Sequence, residues 1–226
     1  MIVTKQGQDR NKSAVTIGFY CALIAFMAAA GYGVAQILQV LGFVIYPLDA
    51  ILIYGFSLCI ATPCMIAFLA LHYVTSRDKR FWSHAALLFA IMYATYVSLM
   101  YVVQLGVAIP MSLHGTPIEF LTVTRYSFFW ALDGLGYICM GLETLFAVPV
   151  FARQGIQRWL RWFFLANGLL TPVIAFVYFY PYFSIPLLLL GLPWLITGPG
   201  SMLLLALFFR KLIYFEASYS VNKSIL

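Results

Sequence analysis

Residues 48–74, LDAILIYGFSLCIATPCMIAFLALHYV, are followed by TSRDKR at 75–80 and then by FWSHAALLFAIMYATYVSLMYVVQLGVAI at 81–109. Two long apolar runs thus flank a short polar break that holds Arg77, Lys79 and Arg80. A helix rises about 1.5 Å per residue, so roughly 20 mostly apolar residues cross a hydrocarbon layer of about 30 Å. Either run is long enough to do so. Neither alternates as a barrel strand would over about ten residues. Apolarity on every side predicts helices, which satisfy their own backbone hydrogen bonds in lipid.

The same pattern continues outward in both directions. Four further runs, Val15 to Gly42, Tyr126 to Phe151, Trp159 to Tyr180 and Ile185 to Phe209, nearly exhaust the 226 residues. The expected fold is all-α: one domain over 1–226, a polytopic bundle of six transmembrane helices at 15–42, 48–74, 81–109, 126–151, 159–180 and 185–209. Composition agrees, with 64% hydrophobic and 9% charged residues against about 25% charged in an ordinary soluble domain. Mean hydropathy is +0.96.

A net charge of +6 suggests nucleic acid only where Lys and Arg share an exposed face. Here they sit in the breaks between runs, so no nucleic-acid partner is expected. Lys5, Arg10 and Lys12 precede the first run. Arg77, Lys79 and Arg80 follow the second, Arg153, Arg158 and Arg161 follow the fourth, and Arg210, Lys211 and Lys223 follow the sixth. The other breaks hold only Arg125, so twelve of the thirteen basic residues favour one side. Because Lys and Arg favour cytoplasmic loops, both termini are expected inside and the host is expected to be the cell membrane. Trp82, Trp159 and Trp162, beside basic residues, read as headgroup anchors. The basic start and Ala28-Ala29-Ala30 resemble a secretory leader, but hydrophobicity runs on to Gly42, and retention of the first helix is expected. Ser218 to Leu226 is expected to be a short tail without a fold of its own.

Six spans divide into two halves of three, which makes a second half inverted relative to the first. Thr62-Pro63 in the second run and Thr171-Pro172 in the fifth lie 109 residues apart, close to the 111 that separate the starts of runs one and four, Val15 and Tyr126. A 3+3 inverted repeat is one reading of this offset.

The fourth run carries the features closest to chemistry. A charge at the bilayer centre costs at least about 2.5 kcal/mol on insertion scales, so intramembrane acids face protein or water and often mark function. Asp133, Gly136, Met140, Glu143 and Ala147 follow spacings of 3, 4, 3 and 4, a heptad seam that turns both acids toward neighbouring helices. They are ten residues apart, about 15 Å along the axis, with Asp133 outward and Glu143 inward. This is too far for a two-carboxylate catalytic pair, which lies within about 9.5 Å. Two stations on a proton path fit better, with Asp133, Glu143, Tyr137, Gln104 and Asn167 as candidates. The alternative is that each acid is merely hydrogen-bonded: to Gln36, Gln39, Gln104 or a tyrosine on the outer side, and to Asn167 or Thr171 on the inner. Gly134, Gly136 and Gly141 thin this helix for close approach.

Pro63, Pro172, Pro193 and Pro199 lie inside apolar runs, and each removes a backbone donor and frees a carbonyl one turn earlier. They are candidate helix breaks around a site, although proline is also tolerated in membrane helices as simple packing. The polar patch around His114, Glu119 and Arg125 is an outer loop, and His72 and His84 flank the basic break. Cys21, Cys59, Cys64 and Cys139 lie within apolar runs and read as small hydrophobes rather than a disulfide framework. No HExxH, GxSxG, CxxC, phosphate loop or GxGxxG is present. No metal, cofactor or catalytic residue is assigned.

Three functional classes follow. The first is a small carrier or proton-linked transport protein using the fourth-run acids. The second is a non-catalytic membrane subunit or scaffold, and the third is a membrane-embedded enzyme on a lipid-like substrate. The expected partners are the lipid bilayer, a small solute or proton, and a second copy or another membrane protein.

Overall fold

The computed structural model describes residues 5–182 and 184–224. The side chains of Lys5, Arg10 and Lys223, which entered the orientation reading, lie outside the described part, as do residues 225–226. The described chain is helical without strands, and six of its helices are long and apolar enough to cross a membrane. This is the architecture of a multi-pass membrane protein.

The elements are α1 (Lys5–Val40), α2 (Leu48–Val74), α3 (Arg80–Val103), α4 (Ile109–Leu113), α5 (Phe128–Ala147), α6 (Gly155–Leu169), α7 (Thr171–Phe179), α8 (Ile185–Leu189) and α9 (Trp194–Ser224). They compose spans at Lys12–Val40, Leu48–Val74, Arg77–Leu113, Phe128–Val150, Gly155–Phe179 and Trp194–Tyr214. Each span packs chiefly on its sequence neighbours, and α9 returns to α1, so the six close into a ring.

Small residues allow this closure. In lipid no hydrophobic force draws helices together, so association depends on close backbone approach. In α1 the buried residues Val15, Gly18, Ala22, Ala25 and Ala29 follow spacings of 3, 4, 3 and 4, and in α3 Ala86, Ala90, Tyr93, Val97 and Met100 follow 4, 3, 4 and 3. The expected α5 seam is buried along its whole length as well, from Asp133 to Ala147. A Cβ added at Gly136 would lie 2.6 Å from Val97 Cγ1 on α3, and one at Gly18 would lie 2.7 Å from Ala70 Cβ on α2. The outward faces carry Ile17, Ile24, Met27, Leu69, Leu88, Ile91, Leu99 and Phe176.

The structure redraws the proline readings. Pro63 and Pro199 lie inside continuous helices. Pro172 sits at the second position of α7, just after the α6–α7 junction at Leu170, where its missing donor costs least. Pro193 marks a full break. The short α8 and a turn precede it, and the sixth span begins at Trp194 instead of 185. The third span runs beyond 109 to Leu113 through a π-helical turn, Gln104–Ala108. Pro110 lies just beyond this turn; its ring would crowd the carbonyl four residues earlier, at Gly106, and the wider turn relieves that conflict. The expected short tail is also different, because α9 continues through Ser224.

The C-terminal end of the fourth span accounts for two of the basic residues. Arg161 Nη1 donates to the carbonyls of Val148 at 3.0 Å and Phe151 at 3.1 Å, and Lys79 Nζ donates to Val150 at 2.9 Å. Helix C-termini leave carbonyls without helical partners, and cations there also meet the negative end of the helix dipole. Arg161→Ala is expected to lower unfolding free energy in detergent micelles by about 1.5–3 kcal/mol, the range for charge-assisted hydrogen bonds, and the exposed Arg158→Ala by less than about 0.5 kcal/mol. Denaturant titration of both variants measures the difference.

Candidate functional site

The ring encloses two polar clusters, one around each acid. Asp133 accepts from Tyr101 Oη on α3 at 3.0 Å and from Tyr178 Oη on α7 at 2.6 Å, one hydroxyl to each carboxyl oxygen. Gly134, next to the acid, lets Tyr178 lie close: a Cβ there would be 2.7 Å from the Tyr178 ring. Trp130 packs against that ring and donates its indole N–H to the Tyr178 carbonyl at 3.0 Å. Tyr54 of α2 stacks on Tyr101 with centroids 5.7 Å apart. Tyr137 does not bond to Asp133; its ring lies 5.9 Å from that of Tyr178 and edge-on to Trp194 at 5.5 Å.

A second polar chain runs toward the connection between α1 and α2. Tyr32 Oη donates to Gln36 Oε1 at 3.1 Å, Gln36 Nε2 to Gln39 Oε1 at 2.8 Å, and Gln39 Nε2 to Asp49 Oδ2 at 2.7 Å. Asp49 Oδ1 meanwhile accepts from the Ala50 backbone N–H at 2.7 Å in the first turn of α2, where a negative charge suits the helix dipole. The two glutamines expected as Asp133 partners therefore serve Asp49, a residue the sequence reading passed over. Its signal was visible: a lone acid in the break after the first run, with glutamines three apart near the end of that run. Gln104 is elsewhere too, donating from the π turn to the Leu121 carbonyl at 2.7 Å and fastening the connection between the third and fourth spans.

Glu143 is fully buried near the middle of the ring. Cys64 of α2 donates its thiol to Oε1 at 3.3 Å and lies 3.8 Å from Met202 Sδ of α9, so side chains of spans two, four and six meet there. Oε2 has no protein partner. Beside it is a cavity of about 20 Å³ bordered by Cys64, Glu143, Asn167, Trp194, Ser201 and Met202 among others. Trp194 Nε1 and Ser201 Oγ are also buried without partners. An unsatisfied buried polar group costs about 1–3 kcal/mol, so three around one space are a concentrated expense.

Asn167 borders the same cavity as Glu143, but neither it nor Thr171 hydrogen-bonds to the acid. Thr197 Oγ1 donates to Asn167 Oδ1 at 3.0 Å, Asn167 Nδ2 to Thr144 Oγ1 at 3.2 Å, and Thr144 Oγ1 to the Gly141 carbonyl at 2.8 Å. This relay ties spans six, five and four on one wall of the cavity. Thr171 packs its hydroxyl against Gly141, where any Cβ would overlap it.

The two clusters touch through aromatic residues. Trp194, placed just after the Pro193 break, is edge-on to Tyr32 and Tyr137 in the outer cluster at 5.5 Å each, and it borders the Glu143 cavity. Buried Tyr93 of α3 lies within electrostatic range of both acids. The sequence named the Pro193-Trp194 interruption as a possible lining; its role as the contact between the clusters required the fold.

Among the described residues no group of three His, Cys, Asp or Glu side chains could hold a metal ion. His72 Nδ1 is 2.9 Å from Ser83 Oγ near the C-terminal end of the second span, and His114 Nδ1 is 2.7 Å from the Pro110 carbonyl after the third span, so both are distant in the chain from the acidic seam and engaged locally.

If the Asp133 bonds hold α3, α5 and α7 together, Tyr101→Phe and Tyr178→Phe each destabilise the protein by about 0.6–1.7 kcal/mol. In an Asp133→Asn background the same changes should cost less, and a double-mutant cycle in micelles reads that coupling. No family model matches the chain, and no curated protein or solved structure matches it either. Its function therefore has to be read from the side chains around Asp133 and Glu143.

Proposed function

We propose that this chain is a proton-linked membrane transport protein in which Asp133 and Glu143 are outer and inner proton stations. One observation carries the reading: both acids lie on the buried seam of α5 inside a ring of spans, and Glu143 turns an unpartnered carboxyl oxygen toward an internal cavity. Intramembrane acids are costly and tend to be retained where they bind ions or protons. Asp133 has hydroxyl partners able to follow a change in its charge. Trp194 borders the Glu143 cavity and packs against Tyr32 and Tyr137, and Tyr93 lies within electrostatic range of both acids.

The size of the cavity narrows the cargo at this site. About 20 Å³ admits a proton carried by a water-sized group, whereas an organic solute needs the ring to open. The helix junction at Leu170 and the break at Pro193 are the places where the fifth and sixth spans can bend.

The other readings draw less support. A scaffold subunit is expected to present polar or small residues to its partner across lipid, yet the outward faces are dominated by large apolar side chains. A lipid-modifying enzyme needs a roomy apolar pocket beside an acid. The cavity at Glu143 is more than tenfold smaller than the lower limit of about 300 Å³ for such sites.

Both termini lie in the cytoplasm of a cell-membrane protein in this proposal, on the strength of the basic breaks. The inverted 3+3 repeat rests on the 109-residue offset alone, since Pro63 stays within α2 while Pro172 follows a junction.

Two measurements test this. In liposomes with an internal pH dye, an imposed membrane potential and a panel of small solutes, native protein is expected to conduct or couple protons, and Asp133→Asn and Glu143→Gln to lower the rate at least tenfold. A native response that survives both substitutions overturns the assignment. For orientation, Ser76→Cys should react with an impermeant maleimide from the cytoplasmic face only, and Thr116→Cys from the opposite face only.

A further inference from the structure

We infer that the enclosed space beside Glu143 binds one water molecule, which donates to Glu143 Oε2 and accepts from the Trp194 indole N–H. This rests on the proton-station reading of Glu143 and supplies the partner that the protein itself withholds from that carboxyl oxygen.

Size is the first argument. A buried water needs about 10–15 Å³ of space for its centre and two to four polar partners. The cavity offers about 20 Å³, room for one water. Glu143 Oε2, Ser201 Oγ and Trp194 Nε1 are fully buried polar atoms without protein partners on residues that border it.

The chemistry of those atoms selects the occupant. Indole N–H only donates, so the occupant must accept a hydrogen bond, which a bare cation such as sodium cannot do. A carboxylate oxygen only accepts, so the occupant must also donate, which excludes a halide. Ser201 can do either. An apolar occupant would leave all three atoms unsatisfied. Water meets every requirement with its two donors and two acceptors. Among the other bordering residues, Cys64 donates to Oε1, Asn167 and Thr144 are engaged with each other and with Thr197 and Gly141, and Met140, Met202 and Ile60 offer no strong hydrogen bond.

The groups nearest Glu143 sharpen the consequence. Cys64, Cys139 and Tyr93 are the titratable side chains close to it, and none is a cation. Ionised Glu143 thus depends on hydrogen bonds rather than on a counter-charge, and Cys64 provides one, on Oε1. The water provides the second. Removing it leaves Glu143 holding its proton, and the inner station no longer releases.

Infrared spectroscopy of the whole protein in liposomes tests this. The C=O stretch of protonated Glu143 is assigned by its loss in Glu143→Gln, and that of Asp133 by its loss in Asp133→Asn. Ser201→Val fills the space and Ser201→Ala only removes a hydroxyl. Ser201→Val is expected to move the Glu143 band to higher frequency, toward that of an unbonded acid, whereas Ser201→Ala keeps the space and the water's bonds to Oε2 and Trp194 and is expected to leave that band nearly in place; the Asp133 band stays in place in both. Ser201→Val should also lower the Glu143-dependent proton rate at least tenfold. A Glu143 band unmoved in Ser201→Val, or one that moves as far in Ser201→Ala, overturns the water. A band that shifts when sodium replaces potassium assigns the space to a cation and overturns it as well. The expected shifts in a protein whose proton rate ignores Glu143→Gln keep the water and defeat the transport reading instead.

Discussion

Lipid offers no partner to a polar atom, and that constraint organises this molecule at every scale. It makes each span a helix, because only a helix satisfies its own backbone within the hydrocarbon layer. It also decides where irregular backbone falls. The π turn at Gln104, the junction at Leu170 and the break before Trp194 all occur next to proline, and the polar side chains near them turn inward. The C-terminal end of the fourth span obeys the same rule, since carbonyls freed beyond α5 are taken up by Arg161 and Lys79.

Two acids, the asparagine and the hydroxyl network then require an interior, and the ring of spans provides one. Small residues at heptad-like spacing on α1, α3 and α5 bring the helices close enough to leave only small spaces inside. Packing this tight leaves only water-sized room beside Glu143 in the state described. It also explains why the acids differ. Asp133 has a tyrosine for each oxygen, whereas Glu143 has a weak thiol donor on one oxygen and open space at the other. The first is a satisfied carboxyl; the second is poised to gain a partner.

Trp194 shows how a local irregularity becomes a site. A proline break ends the short α8 segment, and the new helix starts with a large aromatic ring turned into the bundle. That ring joins the tyrosines around the outer cluster to the cavity beside Glu143. A continuous helix from 185 would have no reason to place its indole N–H there.

The amino-acid sequence by itself determined the number of spans, their helical nature and the buried seam of α5, because hydropathy and period are properties of neighbouring residues along one chain. It also singled out Asp133 and Glu143, since a charge in an apolar run is conspicuous without any fold. Only the tertiary structure decided their partners. Tyr101, Tyr178 and Cys64 lie 32 to 79 residues away in sequence, on other helices, and nothing in a uniformly apolar run tells which face of it will meet an acid. Gln36, Gln39, Gln104 and Asn167 are as polar as a partner should be, but the ring turns each toward another group. Which hydrogen bonds form is set by how helices pack, and that packing is set by the shapes of small residues across interfaces that the linear sequence does not bring together.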